Sequence, residues 1–381
     1  MALALLILFL APIGAGAWRA LQPLPAAHAQ LQPLALRTQA LPLAWPPSGQ
    51  AAIEAEGVGP LLLHGAQVPV PTASVAKLIT GLAVVQHNTL ATGQPGPTIT
   101  LTDDDVARYQ NYIAQDGSVV RVAAGEQLTE RQALEAMILP SANNMADSLA
   151  AWAFGSLPQY RVYAQAMVRQ LGMAHTTVGT DAGGLSPTTT STTADLLILA
   201  KRVLADPTLA AIVQEQGATL PVAGYIPNIN QPAEPGIIGI KTGHSDEAGG
   251  AFVFASNYAA GGKTTQIVGA VLAQPNRDTA LQAGSTLLAS AKANIAVLSP
   301  IRKNQTVAVY TAAWHAQANA ISTQDISFVI WKGTPLHTTL TGTGTAAPAT
   351  VAITGAAQPV HIPLVFAKPL ARPSLWWRVV R

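Results

Sequence analysis

Apolar residues recur at helical spacing from Ser74 to His87. Val75, Leu78, Ile79, Leu82 and Val85 form one stripe, which predicts a helix with that face buried. Thr129 followed by Gln132 has capping-box spacing, and Ala133, Leu134, Met137 and Ile138 continue it as the apolar face of a second helix. Pro140 ends that helix just before Ser141-Ala142-Asn143. Further helices are predicted over about Asn144–Ala153, over Tyr160–Leu171 with Gly172 as the C-cap, and from Thr193 to Leu204. Ahead of all of them, Ala51–Glu56 and Pro60–His64 read as a hairpin around Gly57-Val58-Gly59.

After Gly236 the pattern changes to strands. Ile237–Thr242, Ala251–Asn257 and Thr264–Ala273 are joined by short Gly-containing turns, and a helix over Asp278–Ala293 follows. Strands, then helices, then strands predict an α+β fold in which helices pack on an antiparallel sheet. From Ile295 onward Val307–Tyr310, Ile326–Trp331, Thr350–Ile353 and His361–Val365 read as strands of a small all-β C-terminal domain. Residues 51–293 thus form the larger domain and 295–381 the smaller. Trp376-Trp377 is expected to close the latter as a strand with two buried rings, with a membrane-interface tip as the other reading. Residues 30–50, carrying four prolines, read as a linker. Residues 1–29 read as a signal peptide or an uncleaved anchor. The apolar run Ala2–Ile13 is too short for an ordinary spanning helix, and small-residue sites follow it at Ala15-Gly16-Ala17 and Ala27-His28-Ala29.

Composition narrows the function. The 381 residues are 49% hydrophobic and 10% charged, apolar enough for a large core and low in charge for a cytosolic enzyme. An extracytoplasmic location is therefore expected. A net charge of +2 with no basic stripe argues against nucleic acid. The absence of cysteine excludes disulfides, thiolate metal sites and a thiol nucleophile. His64, His87, His175 and His315 show no metal spacing, and Asp103-Asp104-Asp105 reads as a solvated turn or N-cap rather than a cation site, so neither metal nor cofactor is expected.

Three short motifs carry the chemistry. Ser74-Val75-Ala76-Lys77 fits S-x-x-K, Ser141-Ala142-Asn143 fits S-x-N, and Lys241-Thr242-Gly243 is K-T-G. On a helix, Ser74 and Lys77 share a face, so the amine reaches the hydroxyl. An ammonium cannot take a proton, so the site must hold Lys77 neutral by burial and by nearby positive charge such as Lys241. Ser141 and Asn143 follow the proline break on a loop. From there Ser141 can relay a proton to a leaving amine, and Asn143 can hold a substrate amide or orient Lys77. Lys241-Thr242-Gly243 ends a strand along which a peptide can lie as an added strand, its terminal carboxylate on Lys241 and Thr242. Gly243 would let the ligand approach the backbone closely.

These motifs and their surroundings resemble the low-molecular-mass penicillin-binding DD-carboxypeptidases. The resemblance is carried by Pro71–Thr80, Leu139–Ala146, Gly239–Gly249 and the segment Asp181–Asp195, and spans roughly Ala51 to Ala293. It implies a β-lactamase/DD-peptidase-like catalytic domain acting on D-Ala-D-Ala stem peptides of peptidoglycan. It also implies β-lactam antibiotics as ligands and an oxyanion hole made by the N–H groups of Ser74 and His244. Arg277 would assist carboxylate binding. A DD-endopeptidase or transpeptidase, a β-lactamase-like hydrolase and a silent binding module are the competing functions. Ser-Ala-Asn in place of Ser-Asp-Asn, and the lack of a clear deacylating Glu motif after Asn143, weigh against a β-lactamase.

Overall fold

The computed structural model describes residues 16–232, 234–341, 348 and 350–381, in two compact units. One unit is Leu41–Asn294; the other joins the chain up to Ala40 with Ile295–Arg381. The run Ala2–Ile13 lies outside the described residues, and no described helix is long and apolar enough to cross a membrane.

The larger unit is built on a five-stranded antiparallel sheet. Its strands are β1 (Gln50–Ala55), β2 (Leu62–His64), β3 (Ile238–Ser245), β4 (Gly249–Ala260) and β5 (Lys263–Gln274), in the order β3-β4-β5-β1-β2. The early hairpin adds to the late meander, with Ala51 opposite Val271. Between them run α1 (Ala76–Asn88), α2 (Asp103–Ala114), α3 (Glu130–Ile138), α4 (Asn143–Phe154), α5 (Leu157–Gln170) and α6 (Thr193–Ala205), and α7 (Arg277–Asn294) follows. This is the α+β arrangement expected from the alternation of strand and helix patterns.

The stripe on α1 understates its burial. Every residue from Ala76 to Val85 is buried, because α3, α4, α5 and α6 all pack around this helix. A helix enclosed on all sides can carry a lysine only at a special site, and Lys77 lies on it. The capping box at Thr129 forms: the Gln132 amide donates to Thr129 Oγ1 at 3.2 Å, and the Thr129 amide to Gln132 Oε1 at 3.0 Å. Asp103–Asp105 open α2, and Asp105 caps it with Thr102.

The sheet's other face meets α7 through two phenylalanines of β4. A Cβ on Gly269 of β5 would lie 2.3 Å from the Phe254 ring, and one on Gly284 of α7 would lie 2.5 Å from Phe252. The missing side chains make room for the rings.

The smaller unit holds a six-stranded sheet and the antiparallel pair Ile295–Ile301 with Ile326–Trp331. The four strands read from the sequence are present, and Ile295–Ile301, Gln317–Ser322 and His337–Thr341 join them. Two expectations are corrected. The segment read as a linker from residue 30 begins inside the strand His28–Leu31, which pairs with Thr306–Thr311 and buries Ala27 in that unit's core. Such pairing links distant segments, so no local pattern announces it. The Trp376-Trp377 segment is a helix, Leu375–Val380, with Trp376 75% exposed. Ser374 Oγ accepts the Trp377 amide as an N-cap, a local bond that favours the helix over a closing strand.

Gly284→Ala should lower stability. Helix propensity alone would favour alanine by about 1 kcal/mol. Overpacking against Phe252 and Phe254 should cost about 1–3 kcal/mol and outweigh it. The measurement is the urea midpoint; a higher midpoint would show that the rings shift freely.

Candidate active site

Ser74 sits in a single 3-10 turn, Ala73–Val75, that leads directly into α1. Ala73 just before it has φ +44°, a left-handed conformation that alanine adopts only at a cost of about 1–3 kcal/mol. Two glycines hold the turn. A Cβ on Gly243 would lie 2.9 Å from the Thr72 carbonyl and 3.1 Å from the Ser74 amide nitrogen. One on Gly184 would lie 2.2 Å from the Ala73 carbonyl. Gly243 was expected to admit a ligand; in this structure its bare backbone admits the turn carrying Ser74. The K-T-G strand and the serine turn are thus locked together.

One turn into α1, the Lys77 amine meets three oxygens. They are Ser74 Oγ at 2.9 Å, Asn143 Oδ1 at 2.6 Å and the Gly183 carbonyl at 2.8 Å. The carbonyl and the amide oxygen only accept, so they take two N–H hydrogens. The third direction points at the Ser74 hydroxyl. In an ammonium it carries a hydrogen; in a neutral amine it carries the lone pair.

Burial lowers the Lys77 pKa from 10.5 to about 7. Asp181 and then Asp147 oppose the shift. Lys241 was expected to help depress it; burial is the first cause, and the two amines repel each other when both are charged. Burial likewise pushes Lys241 well below its usual value, aided by the charges of Lys77 and Arg277. Asp147 itself is raised by burial, and accepts hydrogen bonds from Tyr112 Oη at 2.6 Å and the Ala182 amide at 2.8 Å.

The second motif was expected to point into the site from the loop after Pro140, and its Asn143 meets Lys77. Ser141 has φ +66° and is buried between α3 and α4. The neighbouring segment clamps it: the Asn143 amide donates to the Ser118 carbonyl at 2.7 Å, and the Asn144 side chain bonds both the amide and the carbonyl of Val120. Of the two roles open to Asn143, the unliganded structure shows contact with Lys77.

Lys241 and Thr242 lie buried on β3, and His244, opposite Gly250, is exposed. Arg277 opens α7, and its guanidinium donates to the Ile229 carbonyl. Sequence reasoning passed over Asn230, which is fully buried and whose Oδ1 accepts from Lys241 Nζ at 2.6 Å. It also passed over Gly183 as a partner of Lys77. A backbone carbonyl and a lone asparagine in a loop carry no sequence signal of this kind. Among the described residues, no group of histidines and carboxylates could hold a metal ion.

A helical bundle thus packs against an antiparallel sheet, with a lysine-paired serine at their seam. A family model described as D-alanyl-D-alanine carboxypeptidase matches residues 58–275, and the chain belongs to that family. The match ends before Arg277. Among solved structures the chain is similar to a peptidoglycan synthesis regulatory factor from Streptococcus pneumoniae, at 19% identity and TM-score 0.61, over 87% of this chain and 100% of that one. It is also similar to a Streptomyces DD-transpeptidase, at 21% identity and TM-score 0.57, over 66% and 98%. A D-alanyl-D-alanine carboxypeptidase from Mycobacterium tuberculosis has 24% identity and TM-score 0.57, over 68% and 96%. No curated protein sequence matches the chain.

A base is active when neutral, so the rising limb of Ser74 acylation against pH should have its midpoint at about 7. Asp181→Asn removes the largest charge that keeps the proton on Lys77, so it should move that midpoint to lower pH. Second-order acylation rates from pH 5 to 9 read both, and an unmoved midpoint would assign the titration to another group.

Proposed function

We propose that the protein is a serine-type D-Ala-D-Ala carboxypeptidase that removes the terminal D-alanine from peptidoglycan stem peptides. The observation carrying this reading is the Lys77 amine, fully buried, with two directions taken by acceptors and the third on Ser74 Oγ. A silent binding module has no need of an amine so placed.

The chemistry follows from that arrangement. Ser74 Oγ attacks the carbonyl carbon of the penultimate D-alanine while its proton passes to Lys77 Nζ. The oxyanion forms against the main-chain N–H groups of Ser74 and His244. As the C–N bond breaks, the leaving D-alanine amine takes a proton from Lys77, relayed by the Ser141 hydroxyl. Water then adds to the acyl ester as its proton passes to Lys77, and Lys77 returns that proton to Ser74 Oγ as the C–Oγ bond breaks and the shortened peptide leaves. Lys241 and Thr242, with Arg277 nearby, hold the terminal carboxylate. This requirement favours a carboxypeptidase over an endopeptidase acting at an internal bond. A β-lactam presents a carboxylate beside a strained amide and should acylate Ser74 in the same way.

Intact mass should show one benzylpenicillin adduct on the wild type, and none on Ser74→Ala or Lys77→Arg, since arginine keeps the charge but never deprotonates. Released D-alanine from a diacetylated Lys-D-Ala-D-Ala tripeptide tests the substrate. An adduct on Ser74→Ala, or no D-alanine from the wild type, would overturn the respective assignment.

We place this work outside the cytoplasm, at an anionic membrane surface. Leu375, Trp376 and Val380 are 77%, 75% and 53% exposed on the last helix, and no acidic residue follows Asp325. Trp376→Ser should reduce cosedimentation with phosphatidylglycerol vesicles several-fold; undiminished binding would remove this surface from consideration.

A further inference from the structure

Behind the K-T-G strand lies a side chain that no motif includes. Asn230 is fully buried, and its amide bonds in two directions. On one side Oδ1 accepts from Lys241 Nζ at 2.6 Å, from Thr242 Oγ1 at 2.8 Å and from the Thr242 main-chain N–H at 3.0 Å. On the other side Nδ2 donates to the carbonyls of Ile138 at 2.9 Å and Leu139 at 3.3 Å, and to Asn228 Oδ1 at 3.1 Å. The Thr242 N–H can only donate, and the two carbonyls can only accept. The amide therefore has one possible orientation.

The two directions join separate parts of the site. Ile138 ends α3 and Leu139 follows it, just before the turn that carries Ser141. Lys241 and Thr242 sit on β3. The loop around Asn230 is pinned as well: the Ile229 amide donates to the Leu139 carbonyl at 3.0 Å, and Arg277 donates to the Ile229 carbonyl.

We infer that Asn230 is the positioning residue of the carboxylate site, fixing Lys241 and Thr242 against the second motif and deciding which hydrogens they can offer a ligand. The inference rests on the carboxypeptidase reading for its ligand, but its geometry does not. Thr242 gives its hydroxyl hydrogen to Asn230, so toward a ligand it offers lone pairs until that bond is broken. Lys241 also donates to the Thr242 carbonyl, at 3.0 Å. As a neutral amine it has both hydrogens committed; as an ammonium it keeps one for an anion. The titratable groups acting on it are Lys77 from α1 and Arg277 from α7, both cationic when charged. An arriving carboxylate thus has to be met by the protonated form of Lys241, and ligand binding takes up a proton wherever that amine starts neutral.

The test uses Asn230→Asp, which keeps the outline, places an anionic oxygen beside Lys241 and gives up the donor to Ile138 and Leu139, and Asn230→Ser, which withdraws acceptor and donor without adding charge. Unchanged circular dichroism and a cooperative melt establish folding of each. The first readout needs no activity. In protein labelled at lysine Cε, the Lys241 signal is identified by its loss in Lys241→Ala and titrated by NMR. Its midpoint should rise in Asn230→Asp and fall in Asn230→Ser; a midpoint unmoved in both overturns the proposal. The second readout is penicillin acylation split into binding and covalent steps, for the free acid and its methyl ester. Asn230→Asp should weaken binding of the acid about tenfold or more while changing the ester and the covalent step far less. Equal losses on acid and ester would mean a purely structural asparagine and would also overturn it. If the wild type is never acylated on Ser74, the carboxypeptidase reading falls, while the NMR titration still decides whether Asn230 governs Lys241.

Discussion

The amine of Lys77 is the constraint around which the larger unit is arranged. A lysine buried on all sides of its helix is costly as a cation, and the protein meets that cost incompletely. Asn143 and Gly183 satisfy two N–H groups, and Asp181 and Asp147 lend distant negative charge, yet burial still carries the pKa down to about 7. A fully compensated lysine would be a stable ammonium with no capacity to accept a proton. The partial compensation leaves an amine that changes charge near neutrality, with its third direction on a serine hydroxyl.

That requirement explains the unusual backbone around it. The serine turn must approach both the K-T-G strand and the 181–184 loop closely, and glycine occupies the contact point on each side, at Gly243 and Gly184. Ala73 and Ser141 hold left-handed conformations without the licence that glycine has. Strain of this kind persists where surrounding packing over-determines it. Here the enclosed α1 and the clamp of Asn144 on Val120 provide that packing.

The two lysines stand in different surroundings. Lys77 is faced by amide and carbonyl oxygens with carboxylates behind them, whereas Lys241 is faced by Asn230 and a carbonyl, with cationic neighbours acting on it. Burial lowers both. The first is suited to gaining and losing a proton during a reaction; the second is suited to receiving an anion that restores its charge. Two buried amines of the same residue type are thereby set apart by what lies around each.

The sequence by itself determined the parts that rest on short-range order. Helical spacing around Leu78 and Leu82, the Thr129–Gln132 box and the Pro140 break follow from bonds between residues a turn apart. The three motifs were legible for the same reason, since each brings its polar groups together within four residues of chain. Only the tertiary structure decided what depends on distant segments meeting. The strand at His28–Leu31 finds its partner at Thr306–Thr311, and the Gly183 carbonyl reaches Lys77 across the fold. Asn230 becomes a junction between the α3 end and β3, and Gly243 faces the Ser74 amide rather than open space. The reason is physical: a side chain's propensity is written in its neighbours along the chain, whereas burial, and with it the charge of Lys77 and Lys241, belongs to the packed whole.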